Sequence, residues 1–500
     1  MEAVKVSGIS DNFSMLKSES SFSKGIRDKC AVFGIKSSKP VFFDIYHALY
    51  SMQHRGQESA GMAFYNNISQ EGGNIKVHNG MGLVCDVFDM SKFKVGKSDN
   101  SLTIYFGSCT GIGHVRYSTA GETKLKNAQP IFVNYAKGTF AIAHNGNISN
   151  YPELRESLER KGAIFTGTSD TEVIAHLIAR KHIRTDDFIE AITKTMNVLE
   201  GSYSLVILRD NMILGVRDPY GFRPLVFGMR KYDEKVEYAI ASESCALDAI
   251  GMDLIRDVKP SEILVINSNF SIDSYHGLHK RHAHCMFEYV YFSRPDSIIN
   301  NKSVYGARKE MGRILYRENP VDANIVIPVP DSGITSAVGY SEESDIPYSE
   351  GLMKNRYVWR TFIMPKQQSR KEFVRIKFNP IKSEVKGNDI VLIDDSLVRG
   401  TTMRSLVYLL KKAGAEKIHV RISSPPIKFP CLYGIDMQTA EEFIACEKTV
   451  EQIRQIIGAD SLKYITLEGL VEAIGLSKDK LCLGCLTGEY PVHKHIQERL

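Results

Sequence analysis

Long apolar runs are missing from this 500-residue chain: no stretch approaches the roughly 18 residues of a membrane-spanning helix. Collagen, heptad and solenoid periods are absent too. Charge of one sign is scarce. Sixty-three Lys and Arg face 58 Asp and Glu, a net charge of +5 without long single-sign runs, so nothing calls for a nucleic-acid or membrane partner. Cysteine is sparse, and nine is an odd count, which argues against a disulfide scaffold and for a reducing compartment, the cytoplasm. Residues 1–29 hold seven serines and mixed charges but no apolar core, which sets aside a secretory or transit peptide. Taken alone, that segment is a frayed tail or a removable propeptide. What the chain does have is length, with 43% hydrophobic and 24% charged residues, enough for two or more domains with sizeable cores.

From Cys30 onward, short alternating apolar segments (CAVFGI, GMAFY, GIGHVRYSTAG, GTFAIAHNGNIS, YSLVILRD, MILGVRD) are spaced by Gly and Asn-Gly turns. They predict a mostly β domain, with helices over 169–182 and 186–199, running to about 266. The polar, turn-rich segment 267–277 is a linker candidate. The order then becomes strand, loop, helix, strand. ANIVIPV (323–329) ends at Pro330-Asp331-Ser332-Gly333, and DIVLID (389–394) leads through a helical stretch to KIHVRIS (417–423), which implies βαβ units and a parallel sheet.

The densest chemistry lies in VLIDDSLVRGTT (391–402). Asp394 and Asp395 leave the C-terminal end of a strand, where open α/β sheets bind ligands. Arg399, Gly400, Thr401 and Thr402 then open a helix whose amides favour an anion. The string resembles the ribose-phosphate loop of type I phosphoribosyltransferases. That resemblance gives Asp394 and Asp395 the ribose hydroxyls and Mg2+, and Arg399 to Thr402 the 5′-phosphate. It also makes Asp331, Ser332 and Gly333 a pyrophosphate loop, with Ser332 at the metal. The basic segment 354–378 is expected to be a cationic lid over the substrate.

Cys482 and Cys485 form a CxxC that zinc, dithiol redox or iron–sulfur chemistry could each use. Adding Cys285 and Cys431 makes four thiolates, which suit a [4Fe–4S] cluster by softness and suit zinc as well. Their surroundings resemble the cluster-bearing branch of the glutamine phosphoribosylpyrophosphate amidotransferases, and this implies iron–sulfur ligation by all four. His282 and His284 could ligate zinc but are expected to contact the chain locally, and Cys85, Cys109, Cys245 and Cys446 to be small buried hydrophobes.

The same resemblance gives Cys30 a role. Amidotransferases of this family begin at such a cysteine, whose thiolate attacks glutamine while its own α-amine, with a reference pKa of about 7.7–8.0, serves as base. Residues 1–29 would then be a propeptide, although Asp28-Lys29-Cys30 is not a recognised protease site. By the same likeness Arg116 binds the glutamine carboxylate, Asp170 the ammonium, Asn145 and Gly146 the oxyanion, and Arg55 lines the site. Read locally, HNGN is a hairpin turn and SDTE a helix N-cap.

The expected architecture is an α+β N-terminal-nucleophile glutaminase domain of the class II amidotransferase type over 30–266, then an α/β type I phosphoribosyltransferase domain over 280–500. The expected reaction converts glutamine, phosphoribosyl pyrophosphate and water into 5-phosphoribosylamine, glutamate and pyrophosphate, the committed step of purine synthesis. The resemblance also implies a transient channel for the ammonia, inhibition by purine nucleotides and a homotetramer. A phosphoribosyl-pyrophosphate-sensing regulator would have no use for the glutaminase residues. A sugar-isomerising amidotransferase would lack VLIDDSLVRGTT.

Overall fold

The computed structural model describes residues 30–66, 75–89, 106–117, 124–232, 235–278, 280–355, 377–435 and 443–492. The expected propeptide and most of the expected lid lie outside them.

The first unit stacks two antiparallel sheets. Its strands are β1 (Ala31–Lys36), β2 (Ser59–Tyr65), β3 (Ile75–Met81), β4 (Thr110–Arg116), β5 (Ile131–Tyr135), β6 (Gly138–Ile148), β7 (Gly201–Arg209), β8 (Met212–Arg217), β9 (Val226–Tyr232), β10 (Lys235–Ala241), β11 (Asp253–Asp257), β12 (Glu262–Ile266) and β13 (Ile272–His276). One sheet has the order β11-β9-β10-β1-β4-β2-β3 and the other β13-β12-β8-β7-β6-β5. The period-2 alternation of β1 shows why it is buried on both faces. Ala31, Phe33 and Ile35 pack under helix Phe42–Ser51, while Val32 joins Val206, Ile213 and Leu264 between the sheets. Helices Asp170–Ile183 and Phe188–Met196 cover the outer face of the second sheet, near the ranges their periodicity predicts.

The proposed linker 267–277 is instead a turn and an edge strand, β13, paired along β12 from Glu262↔His276 to Ile266↔Ile272. Having only one neighbour, it needs little apolar character, and so its sequence looks like a linker.

The second unit is a four-stranded parallel sheet, Ile325–Pro328, Asp389–Asp394, Lys417–Ile422 and Ser461–Tyr464, in sequence order. Alternate residues face opposite layers. Val326, Val391 and Ile393 pack with helices Val304–Glu318, Ile334–Ser344 and Leu467–Ile474, while Ile327, Ile390 and Leu392 pack with Thr401–Ala413 and Val450–Ile457. Leu352–Lys354 pairs with Phe378–Pro380, which brings the ends of the expected lid together. Among the described residues no helix is long and apolar enough to cross a membrane.

Candidate functional site

β1 begins where the residues expected to serve glutamine meet. Its pairing with β4, Ala31↔Val115, sets Cys30 beside Arg116, and both are buried. Cys30 Sγ lies 3.6 Å from the Tyr117 carbonyl oxygen. Asn145 and Gly146 do not form a hairpin turn. They sit within β6, paired with Ser204 and Tyr203 of β7. Only glycine fits at 146, because a Cβ there would stand 2.1 Å from the Ser202 carbonyl oxygen. Ser242, which the sequence reading missed, joins the two sheets. Its hydroxyl accepts from Val32 N at 2.9 Å and lies 3.5 Å from Asn145 Nδ2, while its own N–H reaches the Val32 carbonyl at 3.0 Å.

Asp170 opens helix Asp170–Ile183 behind the Ser169 N-cap, which accepts from Thr171 N. Its carboxylate accepts from Ile148 N at 3.1 Å and stands 3.6 Å from His144 Nδ1. Burial alone would raise the carboxyl, but His144 and the Ile148 and Thr171 amides outweigh it and hold it below the usual range. Cys30, Arg116, Asn145, Gly146 and Asp170 thus lie at one end of the sandwich.

Gly56 lies against the Val115–Arg116 backbone, and the buried Arg55 guanidinium is held by Glu243 of the first unit and Glu288 of the second. Ser293 Oγ is 3.1 Å from it. Burial would raise both carboxyls, yet Arg55, with His54 on Glu243 and Arg223 on Glu288, holds both below the ordinary range. The matching motif gives no sign of this role, since Glu288 is 233 residues away. Arg55→Ala should cost about 3–5 kcal/mol by removing the cation that two buried carboxylates share, leaving Glu243 with His54 and Glu288 with Arg223, read as a lower urea midpoint. Arg55→Lys should recover little of it, because one ammonium cannot fork between two acids.

In the second unit, adjacent parallel strands end in adjacent loops. Val329 N donates to the Ile393 carbonyl at 2.8 Å, so Asp331-Ser332-Gly333 lies beside Asp394 and Asp395. Ser332 Oγ is 3.4 Å from Asp394 Oδ1, and Asp395 N donates to the same oxygen at 2.9 Å. A Cβ at residue 333 would stand 2.4 Å from the Ile393 carbonyl oxygen, so the loop needs glycine there to come this close. Burial first, then Asp395, pushes the Asp394 carboxyl well above the usual range. A divalent cation would relieve that repulsion. Gly400, in the left-handed region at φ 73°, caps helix Thr401–Ala413, with Arg399 half-buried and Thr401 and Thr402 exposed at its first turn. Lys354, at the described edge of the expected lid, pairs with Asp331.

Cys285 and Cys482 are register partners in a short parallel pair, and with Cys431 and Cys485 they line one small cavity walled by Phe222, Tyr433 and Tyr490. No group of three or more His, Cys, Asp or Glu among the described residues is placed to hold a single metal ion. His284 makes a distant contact rather than the expected local one, its Nδ1 lying 2.9 Å from the carbonyl oxygen of Gly221 in the first unit. Of the four cysteines expected to be buried, only Cys245 is. Cys109 is half-buried, and Cys85 and Cys446 are exposed.

The two units define a glutamine amidotransferase joined to a phosphoribosyltransferase. Residues 114–249 match the glutamine amidotransferase domain family, and residues 299–423 match the phosphoribosyl transferase domain family. The amidophosphoribosyltransferase of Methanothermobacter thermautotrophicus is 51% identical over 469 residues, covering 93% of this chain and 95% of that protein. Its Bacillus subtilis counterpart is 43% identical over 477 residues, covering 94% and 95%. The solved B. subtilis glutamine phosphoribosylpyrophosphate amidotransferase, complexed with ADP and GMP, superposes with a TM-score of 0.83 at 42% identity over 92% of this chain and 97% of that one. The chain belongs to the amidophosphoribosyltransferase family. It makes 5-phosphoribosylamine, glutamate and pyrophosphate from glutamine, phosphoribosyl pyrophosphate and water, the first committed step of purine biosynthesis.

Proposed function

We propose that the two half-reactions are divided between the Cys30 end of the sandwich and the Asp394 end of the parallel sheet. The observation that carries this division is the position of Cys30, at the head of a central strand beside Arg116 and linked through Val32 and Ser242 to Asn145. The Cys30 thiol passes its proton to its own α-amine and attacks the glutamine amide carbon. Asn145 Nδ2 and Gly146 N donate to the tetrahedral oxyanion, while Arg116 and Asp170 hold the amino-acid end. Collapse expels ammonia and leaves a γ-glutamyl thioester for water to cleave. The ammonia crosses between the units without protonation in bulk solvent and attacks ribose C1, and pyrophosphate departs. Arg399 to Thr402 hold the 5′-phosphate, with Asp331 and Gly333 beside the pyrophosphate.

Asp394, Asp395 and Ser332 fit Mg2+: hard oxygen donors with a buried carboxylate in need of a cation. The ion would neutralise pyrophosphate charge. Nucleotide inhibition is supported by the ADP and GMP in the B. subtilis structure. The family likeness supports a cytoplasmic homotetramer.

Maturation is supported by the backbone at residue 30. Cys30 has φ 46°, a left-handed conformation costing roughly 1–2 kcal/mol for a residue with a side chain. That torsion ceases to be a constraint once Cys30 carries the free amine. Intact-mass measurement of active enzyme should show a chain beginning at Cys30. Full glutaminase activity in a chain that keeps Lys29 would refute this.

The four-cysteine cavity fits a [4Fe–4S] cluster. Ile435 N donates to Cys431 Sγ at 3.4 Å, and the Arg223 charge faces Cys285 and Cys431. Burial pushes the Cys285 thiol up to about 12, and bound metal charge would favour its thiolate. No catalytic residue lines this cavity, so the group would act structurally. Purified enzyme should contain iron and sulfide, about four of each per chain. Cys482→Ser should reduce folded yield and lower the thermal midpoint by more than about 5 °C. One zinc without sulfide would overturn the cluster.

A further inference from the structure

β1 has a second end. At about 3.3 Å per residue, Lys36 stands about 20 Å from Cys30, at a cavity of about 600 Å³ that no residue of either proposed active site lines. The size is that of a metabolite pocket. Lys36 is 2% exposed. Its Nζ donates to Thr110 Oγ1 at 3.4 Å, the Asn211 carbonyl at 3.2 Å and Asn211 Oδ1 at 3.1 Å, and it stands 4.8 Å from the centroid of Phe270. All of these partners are neutral. Glu237, nearby on β10, is taken up by Arg230 at 2.6 Å and by the Ser37 hydroxyl at 2.6 Å. Among the described residues Lys36 forms no ion pair, and the neighbouring Cys109 thiol is itself raised by burial. A buried ammonium so placed is an expensive arrangement, and proteins seldom keep one without a partner. Burial accordingly pulls Lys36 down to about 8.

A second observation concerns Phe270. This bulky residue sits at φ 67° in the turn between β12 and β13, a conformation such side chains seldom adopt, and there its ring faces Lys36. Tyr65 and Tyr238 add aromatic wall, and the exposed Lys235 puts a second cation at the rim.

We propose that this cavity is a separate binding site for a small organic anion carrying a flat ring, its carboxylate or phosphate balancing Lys36 and Lys235 and its ring lying against Phe270 and the tyrosines.

The full-length protein can be tested with pyridoxal 5′-phosphate, a ring that carries both a phosphate and an aldehyde. The Lys36 amine and the aldehyde condense to an imine with loss of water, borohydride adds hydride to the imine carbon, and peptide mapping locates the resulting secondary amine. At pH 8 Lys36 should label at least about tenfold faster than exposed lysines, which are almost wholly protonated there. Lys235→Ala, a change at an exposed position, should slow labelling of Lys36 severalfold while leaving glutamine- and ammonia-dependent synthesis intact. Protection of Lys36 by phenyl phosphate identifies a phosphate-ester ligand, and protection by benzoate a carboxylate. Failure of both to protect, or labelling confined to surface lysines, overturns the proposal and leaves Lys36 as a tie between the sheets.

Discussion

In a chain processed to begin at residue 30, Cys30→Ala lowers glutamine-dependent phosphoribosylamine synthesis by about 10⁴-fold or more, while synthesis from added ammonia stays within about twofold. As the proposed nucleophile for glutamine, Cys30 would contribute nothing to the acceptor chemistry, and the alanine fits its buried position at the head of β1, so the fold should survive. Assaying both nitrogen sources on one preparation separates loss of chemistry from loss of structure. If ammonia-dependent synthesis fell in parallel, the two-site division would be wrong. The milder Ser242→Ala should lower only the glutamine-dependent rate, since Ser242 touches Asn145 and Val32 and no acceptor residue.

Asp394→Asn acts in the opposite sense on stability and on rate. Both nitrogen sources share the acceptor site, so both activities should fall by about 10³-fold or more. The isolated protein should nonetheless melt at the same temperature or higher. The Asp394 carboxyl is raised by burial and by Asp395, and a group with a raised folded-state pKa contributes stability at low pH that is lost as pH rises through that value. At neutral pH its ionised form is therefore a cost, which the amide removes while keeping the shape. Thermal melting from pH 4 to 8 should show the parent losing stability relative to the variant as pH rises. A variant that melts lower across the whole range would show that Asp394 holds the loop together rather than serving a ligand.

Much of the acceptor half was legible because its signals are local. Alternating apolar runs, a carboxylate pair at a strand end and a glycine opening a helix are contained in VLIDDSLVRGTT, and the strand Asp389–Asp394 and helix Thr401–Ala413 fall where that string places them. Cys30 at the head of an apolar strand was legible for the same reason. Local signals failed where partners are distant. HNGN has turn composition, yet long-range pairing with β7 keeps it extended. The segment 267–277 has linker composition, yet β12 recruits part of it as an edge strand.

The sequence by itself determined which chemistry this chain carries, because the residue types and their spacing lie within short strings. Tertiary structure alone decided which distant groups meet: Arg55 with Glu288, Ser242 with Asn145, Cys285 with Cys482, and Lys36 with Asn211 and Phe270. The physical reason is that an ion pair or a strand register is set by how whole layers pack, and neither partner's neighbours in the chain encode it.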